Sequence, residues 1–272
     1  MKIFMMTDME GVAGILNHDD WVLPTGRFYD KGMRLLTAEI NAAVAGFAAA
    51  GASEIIVVDG HGAGGIDPEL LDGRAQLSRG RHPEIWPWGL DKTFDAVAFV
   101  GQHAKAGTPF SQITHTGWFN TIDMRLNNIS IGEYGQMALC AMELGVPTIF
   151  ASGEQALCRE AEDLTPGVVT VAVKRGLLPD GLDHLDGEAY AKAKLSAIHL
   201  APVTARRQIE VGAKAALDLL KKNPEVFTYP KITPPYTLSQ RFRAKGAHPP
   251  FEVVAHHPDS IAKLFTTPGT II

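Results

Sequence analysis

The sequence predicts an α/β fold, in which a largely parallel sheet with helices on both faces is followed by a smaller C-terminal α+β subdomain. Short apolar runs alternate along the chain with longer segments whose apolar residues repeat at helical spacing. The short runs are apolar throughout, which is typical of parallel strands buried on both sides. From residue 223 onward the chain becomes rich in proline and the alternation ends.

The predicted segments follow one another in a regular order. The first long helix is expected to end at Gly51, a residue typical of helix C-termini. In chain order the predictions are strand 2–7, helix 31–50, strand 55–58, strand 96–100, helix 133–144, strand 147–151, helix 154–164, strand 168–173 and a helical region 186–222, with a β-like stretch at 251–254 in the tail. We therefore expect an α/β metal-binding catalytic domain over residues 1–185 and a helical and mixed α+β subdomain over 186–272.

Composition excludes several classes of protein. Hydrophobic residues make up 46 % of the chain and the net charge is only −5, a combination that excludes overall disorder. The slight acidic excess, without clustered lysine and arginine, argues against nucleic-acid binding. With no apolar run of transmembrane length and no readable signal peptide, we expect a cytoplasmic protein without a membrane partner.

Potential metal ligands follow three of the predicted strands at their carboxyl ends. Asp8 and Glu10 follow the first, Asp59 and His61 the second, and His103 the third. Ligands of open α/β sheets bind at this edge, and the i, i+2 spacing places each pair on one side of its strand. Carboxylate and imidazole together suit Zn²⁺, with Mn²⁺ or Co²⁺ as alternatives, and carboxylates can bridge two ions.

Two further residues are candidates. His115 lies on a polar segment, 112–117, that we expect outside the core, and Glu133 opens a predicted helix. Taken singly, each has an ordinary interpretation. His115 would be a surface-loop histidine, and Glu133 would be a first-turn glutamate that complements the helix dipole. A single strand-end aspartate is also most often a cap or turn residue, so the coincidence at three strand ends carries the metal hypothesis.

In order along the chain, four motifs resemble the D-aminopeptidase family of zinc metallopeptidases associated with dipeptide transport. They are Asp8-Met9-Glu10-Gly11, Asp59-Gly60-His61-Gly62, Gly101-Gln102-His103-Ala104 and Gly132-Glu133-Tyr134-Gly135, joined by His115. The resemblance covers nearly the whole chain and is strongest from residue 1 to about 175.

The resemblance implies a set of roles. A centre of two zinc ions per subunit would be held by Asp8 as the bridging ligand together with Glu10, His61, His103 and Glu133. His115 matches the catalytic histidine of the family, and Asp59 is then expected to orient a ligand rather than to bind metal. The resemblance also implies a homo-oligomer, a decamer of two stacked pentamers. Trp86, Trp88 and Trp118 are expected to be exposed and compatible with such an assembly.

The function expected is that of a dinuclear zinc aminopeptidase, which hydrolyses the N-terminal residue, a D-amino acid, from short peptides through a metal-bound hydroxide. His115 would transfer a proton to the leaving amine, although a direct nucleophilic role stays open. One alternative is a metal-dependent hydrolase of another amide or a phosphoester, for which Lys105 and Arg125 are the nearest basic residues. Another is a protein that binds metal or peptide without catalysis.

Overall fold

The computed structural model describes residues 1–80, 82 and 86–272. Its strands are β1 (Lys2–Thr7), β2 (Glu54–Asp59), β3 (Gln76–Ser78), β4 (Ala96–Gln102), β5 (Thr121–Leu126), β6 (Ile129–Ser130), β7 (Thr148–Glu154), β8 (Val169–Gly176), β9 (Ala197–His199), β10 (Tyr236–Phe242), β11 (Phe251–His257) and β12 (Thr270–Ile271). Its α-helices are α1 (His18–Trp21), α2 (Tyr29–Ala49), α3 (Glu133–Leu144), α4 (Gln155–Leu164), α5 (Gly187–Ala193), α6 (Pro202–Lys222) and α7 (Ile261–Leu264).

The larger sheet has the strand order β3-β2-β1-β4-β7-β8-β9. All its neighbouring strands run parallel except β9, which is antiparallel to β8. Because parallel strands end at the same edge, the segments after β1, β2 and β4 emerge side by side. The predicted largely parallel sheet is confirmed.

Helices cover both faces of this sheet, as predicted. Along β1 the side chains of Ile3 and Met5 belong to one hydrophobic cluster, while Phe4 and Met6 belong to another. The first cluster includes residues of α2 and α6, and the second includes residues of α3 and α4. A strand buried on both sides has no face exposed to solvent, so its sequence is apolar throughout and does not alternate with polar residues.

A second, antiparallel sheet has the order β12-β11-β10-β5-β6 and joins the core on the side of α3. Three of its strands come from the proline-rich tail, but β5 and β6 come from much earlier in the chain. Conversely, β9 and α6 belong with the larger sheet, where α6 packs beside α2. The expected boundary between residues 185 and 186 therefore does not coincide with the division between the sheets.

The region 186–222, predicted as helical, contains a short strand between two helices. Strand β9 pairs with β8 and extends the larger sheet by one antiparallel strand.

Cys140 and Cys158 are buried free thiols on α3 and α4. Within the described ranges, no helix combines the length and the apolar character needed to cross a membrane.

Candidate metal centre

The predicted ligands lie together at the carboxyl edge of the larger sheet. Asp8 and Glu10 follow β1, His61 follows β2, His103 follows β4, and Glu133 opens α3. Asp8, Glu10, His61 and His103 are each no more than 9 % exposed. The structure thus brings together residues that are up to 125 positions apart in the sequence.

Two motif glycines allow the ends of β1 and β4 to come this close. The amide of Gly11 donates to the carbonyl of Gly101 at 2.7 Å. A Cβ on Gly11 would lie 2.0 Å from the carbonyl oxygen of Gln102, and one on Gly101 would lie 2.1 Å from that of Asp8. Gly101 also has φ +77°, a conformation that favours glycine. The glycines are therefore needed to place Asp8 and Glu10 beside His103.

The two oxygens of Asp8 face two different histidines. Its Oδ1 lies 3.1 Å from Nδ1 of His61, and its Oδ2 lies 3.3 Å from Nε2 of His103. Oε2 of Glu10 lies 3.3 Å from Nδ1 of His61, and Oε2 of Glu133 lies 3.6 Å from Nε2 of His103. The side chains therefore form two groups that share Asp8, one with Glu10 and His61 and one with His103 and Glu133.

Backbone carbonyls fix which nitrogen of each histidine is available to a metal. Nε2 of His61 donates to the carbonyl of Val22 at 3.0 Å, and Nδ1 of His103 donates to that of Ala104 at 2.9 Å. A carbonyl only accepts, so the other nitrogen of each ring, in its neutral form, carries the lone pair and faces the carboxylates. Among the described residues, His103 Nε2 and Glu10 Oε2 are buried without a hydrogen-bond partner. These atoms fit a bound cation.

The electrostatics of the site also favour positive charge. Burial acts to raise the pKa of Asp8, but the imidazoles of His103 and His61 hold that pKa well below its usual range. Burial lowers the pKa of His61, yet Glu10 and Asp8 outweigh it and raise that pKa to about 12. Burial acts to raise the pKa of Glu133 as well, but the charge of His103 outweighs this effect and lowers that pKa to about 2. Carboxylates that stabilise charged imidazoles this strongly would also stabilise a divalent cation.

His115 lies beside this group with its reactive nitrogen defined. Its Nδ1 donates to the carbonyl of Ile113 at 2.9 Å, so Nε2 carries the lone pair, 3.8 Å from Oε1 of Glu133. Burial, together with the charge of His103, lowers the pKa of His115 and favours the neutral ring. The potential ligand atoms of His103, His115 and Glu133 lie within 4.8 Å of one another. His115 is therefore within reach of a metal ion as well as of a substrate.

The expectation that segment 112–117 lies outside the core is wrong. Gln112, Thr114, His115 and Thr116 are all buried. Burial is tolerated because most of the polar groups find partners: Gln112 donates to two backbone carbonyls, and the hydroxyl of Thr116 accepts from a backbone amide. Among the described residues, Oε1 of Gln112 is buried without a hydrogen-bond partner.

Asp59 supports the loop after His61 instead of a ligand side chain. Its Oδ1 accepts from the amide of Gly65 at 2.7 Å, and its Oδ2 pairs with Nε of Arg79 at 2.9 Å. The sequence predicts contacts of Asp59 with a ligand side chain, whereas the hydrogen bonds observed are with the loop and with Arg79. This arrangement holds the backbone that follows His61.

Three functional neighbours were missed by sequence reasoning. Gln102 donates to Oδ2 of Asp8 at 2.8 Å, and buried Lys174 donates to the carbonyl of Glu10. His18 is buried against Trp118 and lines the cavity over the site. Only Gln102 had a signal in the sequence, because it directly precedes His103 in the third motif.

A cavity of about 480 Å³ opens over the candidate ligands. Its walls are largely apolar and include Val22, Leu23 and Pro24, together with Trp86, Trp88 and Trp118. Trp118 is 52 % exposed, as expected, but the other two tryptophans are half-buried in the cavity wall. No lysine or arginine of the described residues lines it.

Comparison with known proteins decides the family. The sequence profile of the D-aminopeptidase family, peptidase M55, matches residues 1–255. The chain belongs to the D-aminopeptidase family. This membership confirms the resemblance drawn from the four motifs and agrees with the predicted enzyme class, a metallo-aminopeptidase.

Relatives within the D-aminopeptidase family agree in sequence and in fold. The chain is 34 % identical over 181 residues to the D-aminopeptidase of Bacillus subtilis strain 168, a match that spans 64 % of each protein. It also resembles the solved structure of the Zn-dependent D-aminopeptidase DppA from Bacillus subtilis, described as a self-compartmentalizing protease. That likeness has a TM-score of 0.81 and 26 % sequence identity, and it covers 98 % of this chain and 94 % of the other.

Proposed function

We propose that this protein is a two-zinc aminopeptidase that releases an N-terminal D-residue from short peptides. The observation that carries the proposal is the pair of ligand groups sharing Asp8, in which each histidine presents a lone pair fixed by a backbone carbonyl. The zinc dependence of DppA supports the choice of metal. Mn²⁺ and Co²⁺ suit the same donor set and are the alternatives.

In this proposal Asp8, Glu10 and His61 would hold one ion, and Asp8, His103 and Glu133 would hold the other. Gln102 fixes the orientation of the Asp8 carboxylate through the hydrogen bond to Oδ2. When bound, a zinc pair activates water as a nucleophile near neutral pH and polarises the carbonyl under attack.

The residues of the chain bind and orient the peptide. The apolar walls of the cavity accommodate an uncharged side chain of the substrate. His115 presents Nε2 on a ring whose lowered pKa favours the neutral form, so it accepts the proton that the attacking water loses and passes it to the leaving amine. The absence of lysine and arginine from the described lining residues disfavours the phosphoester alternative.

The preference for D-residues and the assembly are proposed from the relatives. Both relatives are D-aminopeptidases, and DppA is a self-compartmentalizing protease. We propose that this chain likewise forms a homo-oligomer, the decamer implied by the family, which restricts access to short peptides. Light scattering of the purified protein measures the mass of the assembly and thereby tests this part.

A single experiment tests the activity. The purified protein is assayed with D-Ala-D-Ala, L-Ala-L-Ala and a phosphomonoester, before and after chelation and after Zn²⁺ is returned. We expect hydrolysis of the D-dipeptide, its loss on chelation and its recovery with zinc. Activity that survives complete chelation contradicts the metal hypothesis, and zinc binding without turnover of any peptide would establish a binding protein.

A further inference from the structure

Beyond the ligands, one carboxylate ties together the segments that carry His103 and His115. Glu154, the last residue of β7, is fully buried. Its Oε1 accepts from the amide of Ala104 at 2.8 Å, and its Oε2 accepts from the amide of Gln112 at 2.7 Å. Ala104 directly follows His103, and Gln112 precedes His115 by three residues. A single side chain therefore spans two loops of the site.

A second carboxylate does the same for the segments that carry His103 and Glu133. Glu160, on α4, accepts through Oε2 from the amide of Lys105 at 2.9 Å and through Oε1 from the amide of Gly132 at 3.1 Å. Gly132 directly precedes Glu133, and Lys105 lies two residues after His103. The loop after β4 is thus held by both glutamates.

The chemistry of these contacts suits a positioning role. Within the described ranges, neither Glu154 nor Glu160 has a lysine or arginine partner within 4.0 Å. All four carboxylate oxygens instead accept from backbone amides of the loops. The two side chains bind backbone amides and do not line the cavity over the candidate ligands.

We propose that Glu154 and Glu160 are positioning residues of the metal centre. Glu154 sets the spacing between His103 and His115, and Glu160 sets the spacing between His103 and Glu133. The inference rests on the proposed function, since it assigns His103 and Glu133 to the metal and His115 to proton transfer. It predicts that the two glutamates affect different steps.

Glutamine variants separate these effects because an amide offers one acceptor oxygen where the carboxylate offers two. In Glu154→Gln or Glu160→Gln, the amide NH₂ would face a backbone N–H donor, and one of the two loops would be released. Glu143→Gln is the control. Glu143 accepts from two backbone amides outside the site, those of Ile261 and Ala262, through Oε2 alone, so this variant tests the loss of a carboxylate charge without release of a site loop.

The experiment measures zinc affinity by competition with a chromophoric chelator, and kcat and KM at saturating zinc. We expect Glu160→Gln to weaken zinc binding about tenfold or more, and Glu154→Gln to lower kcat by at least about tenfold at saturating zinc with little change in KM. Glu143→Gln should match the wild type in both quantities. The zinc measurement reads out the site without depending on turnover.

The proposal is overturned if both variants keep wild-type zinc affinity and kcat, or if they lower only the melting temperature, as loss of a merely structural contact would. If a glutamine variant does not fold, the aspartate variant replaces it. Aspartate keeps both acceptor oxygens on a shorter side chain, so we expect the same defect in smaller degree, and a wild-type result again overturns the proposal. A wild-type protein that binds no zinc and cleaves no dipeptide would instead refute the proposed function.

Discussion

The imidazole rings of His103 and His115 stack with their centroids 4.1 Å apart and their planes inclined by 15°. The two rings have different surroundings. Nε2 of His103 faces the carboxylates of Asp8 and Glu133, which raise its pKa well above the usual value against the effect of burial. Burial and the charge on His103 lower the pKa of His115. Burial, together with the positive charge beside it, therefore favours the neutral form of His115, which is able to accept a proton.

Replacing His115 with alanine should lower kcat by about 10²–10⁴-fold while the zinc content is unchanged, because the variant loses proton transfer but none of the five proposed ligands. Steady-state kinetics and elemental analysis of the same preparation measure both quantities. The location of Nε2 close to His103 and Glu133 makes the zinc measurement decisive. If bound zinc falls in proportion to activity, His115 is a ligand and its assigned role is wrong.

Replacing Asp8 with asparagine should remove both zinc ions, because the two ligand groups share its carboxylate. Glu10→Gln should weaken only the ion on the His61 side. Glu143→Gln serves as the control, since Glu143 contacts the backbone at Ile261 and Ala262, away from the site, and should leave the zinc stoichiometry unchanged. Titration of each metal-free variant with Zn²⁺ gives the number of ions bound. Retention of both ions by Asp8→Asn would show that Asp8 does not bridge them.

The cavity predicts a preference for uncharged side chains. Its walls are apolar, and the described lining residues offer no lysine or arginine to an acidic side chain. Dipeptides beginning with D-Leu or D-Phe should therefore have a higher kcat/KM than the matching dipeptide beginning with D-Asp. Trp118→Ala should reduce that difference by raising KM for the apolar substrates. Equal kcat/KM for D-Asp and D-Leu substrates would contradict this assignment of the walls.

His199 predicts a pH dependence of stability away from the metal centre. Its Nδ1 accepts from the amide of Gly14 at 3.1 Å, and burial, with a contribution from Lys174, lowers its pKa to about 4. The unfolded chain, with a histidine pKa of about 6.5, binds more protons between these values, so the free energy of unfolding should increase as pH rises from 4 to 6.5. This contribution is lost as the pH falls through that range.

Denaturant unfolding of the metal-free protein at a series of pH values measures this slope. His199→Asn keeps a side-chain acceptor for Gly14 but does not titrate, so its slope between pH 4 and 6.5 should be smaller than that of the wild type. His184→Asn, at an exposed position, should leave the slope unchanged. An unaltered slope in His199→Asn would assign the pH dependence to other groups.

The parts of the fold that were predicted from the sequence are those with strong local patterns. Strands β1, β2 and β4 are continuous apolar runs, and polar residues directly after them mark the edge at which they end. Strand β5 was missed, although Ile122, Met124 and Leu126 alternate with polar residues in the pattern of a half-buried strand. Strand β9 has three residues and was merged with the helices around it, since so short a run carries no periodicity.

The supporting groups of the site depend on tertiary contacts that no local pattern reveals. Glu154 was placed at the start of a predicted helix, whereas it ends β7 and accepts from amides 50 and 42 positions earlier in the chain. The ammonium group of Lys174 donates to the backbone carbonyl of Glu10, 164 positions earlier in the chain. The candidate ligands could be predicted because their residue types and strand-end positions are visible in the sequence, while the side chains that support them belong to ordinary charged residues.

The central claim is that two zinc ions share Asp8. A crystal structure of the zinc-loaded protein, with anomalous data collected on both sides of the zinc absorption edge, tests it most directly. We expect two anomalous peaks about 3.5–4 Å apart. Each should lie about 2.0–2.2 Å from an oxygen of Asp8, one with His61 and one with His103 as the nitrogen ligand. A single peak, or two peaks of which one does not contact Asp8, would contradict the account.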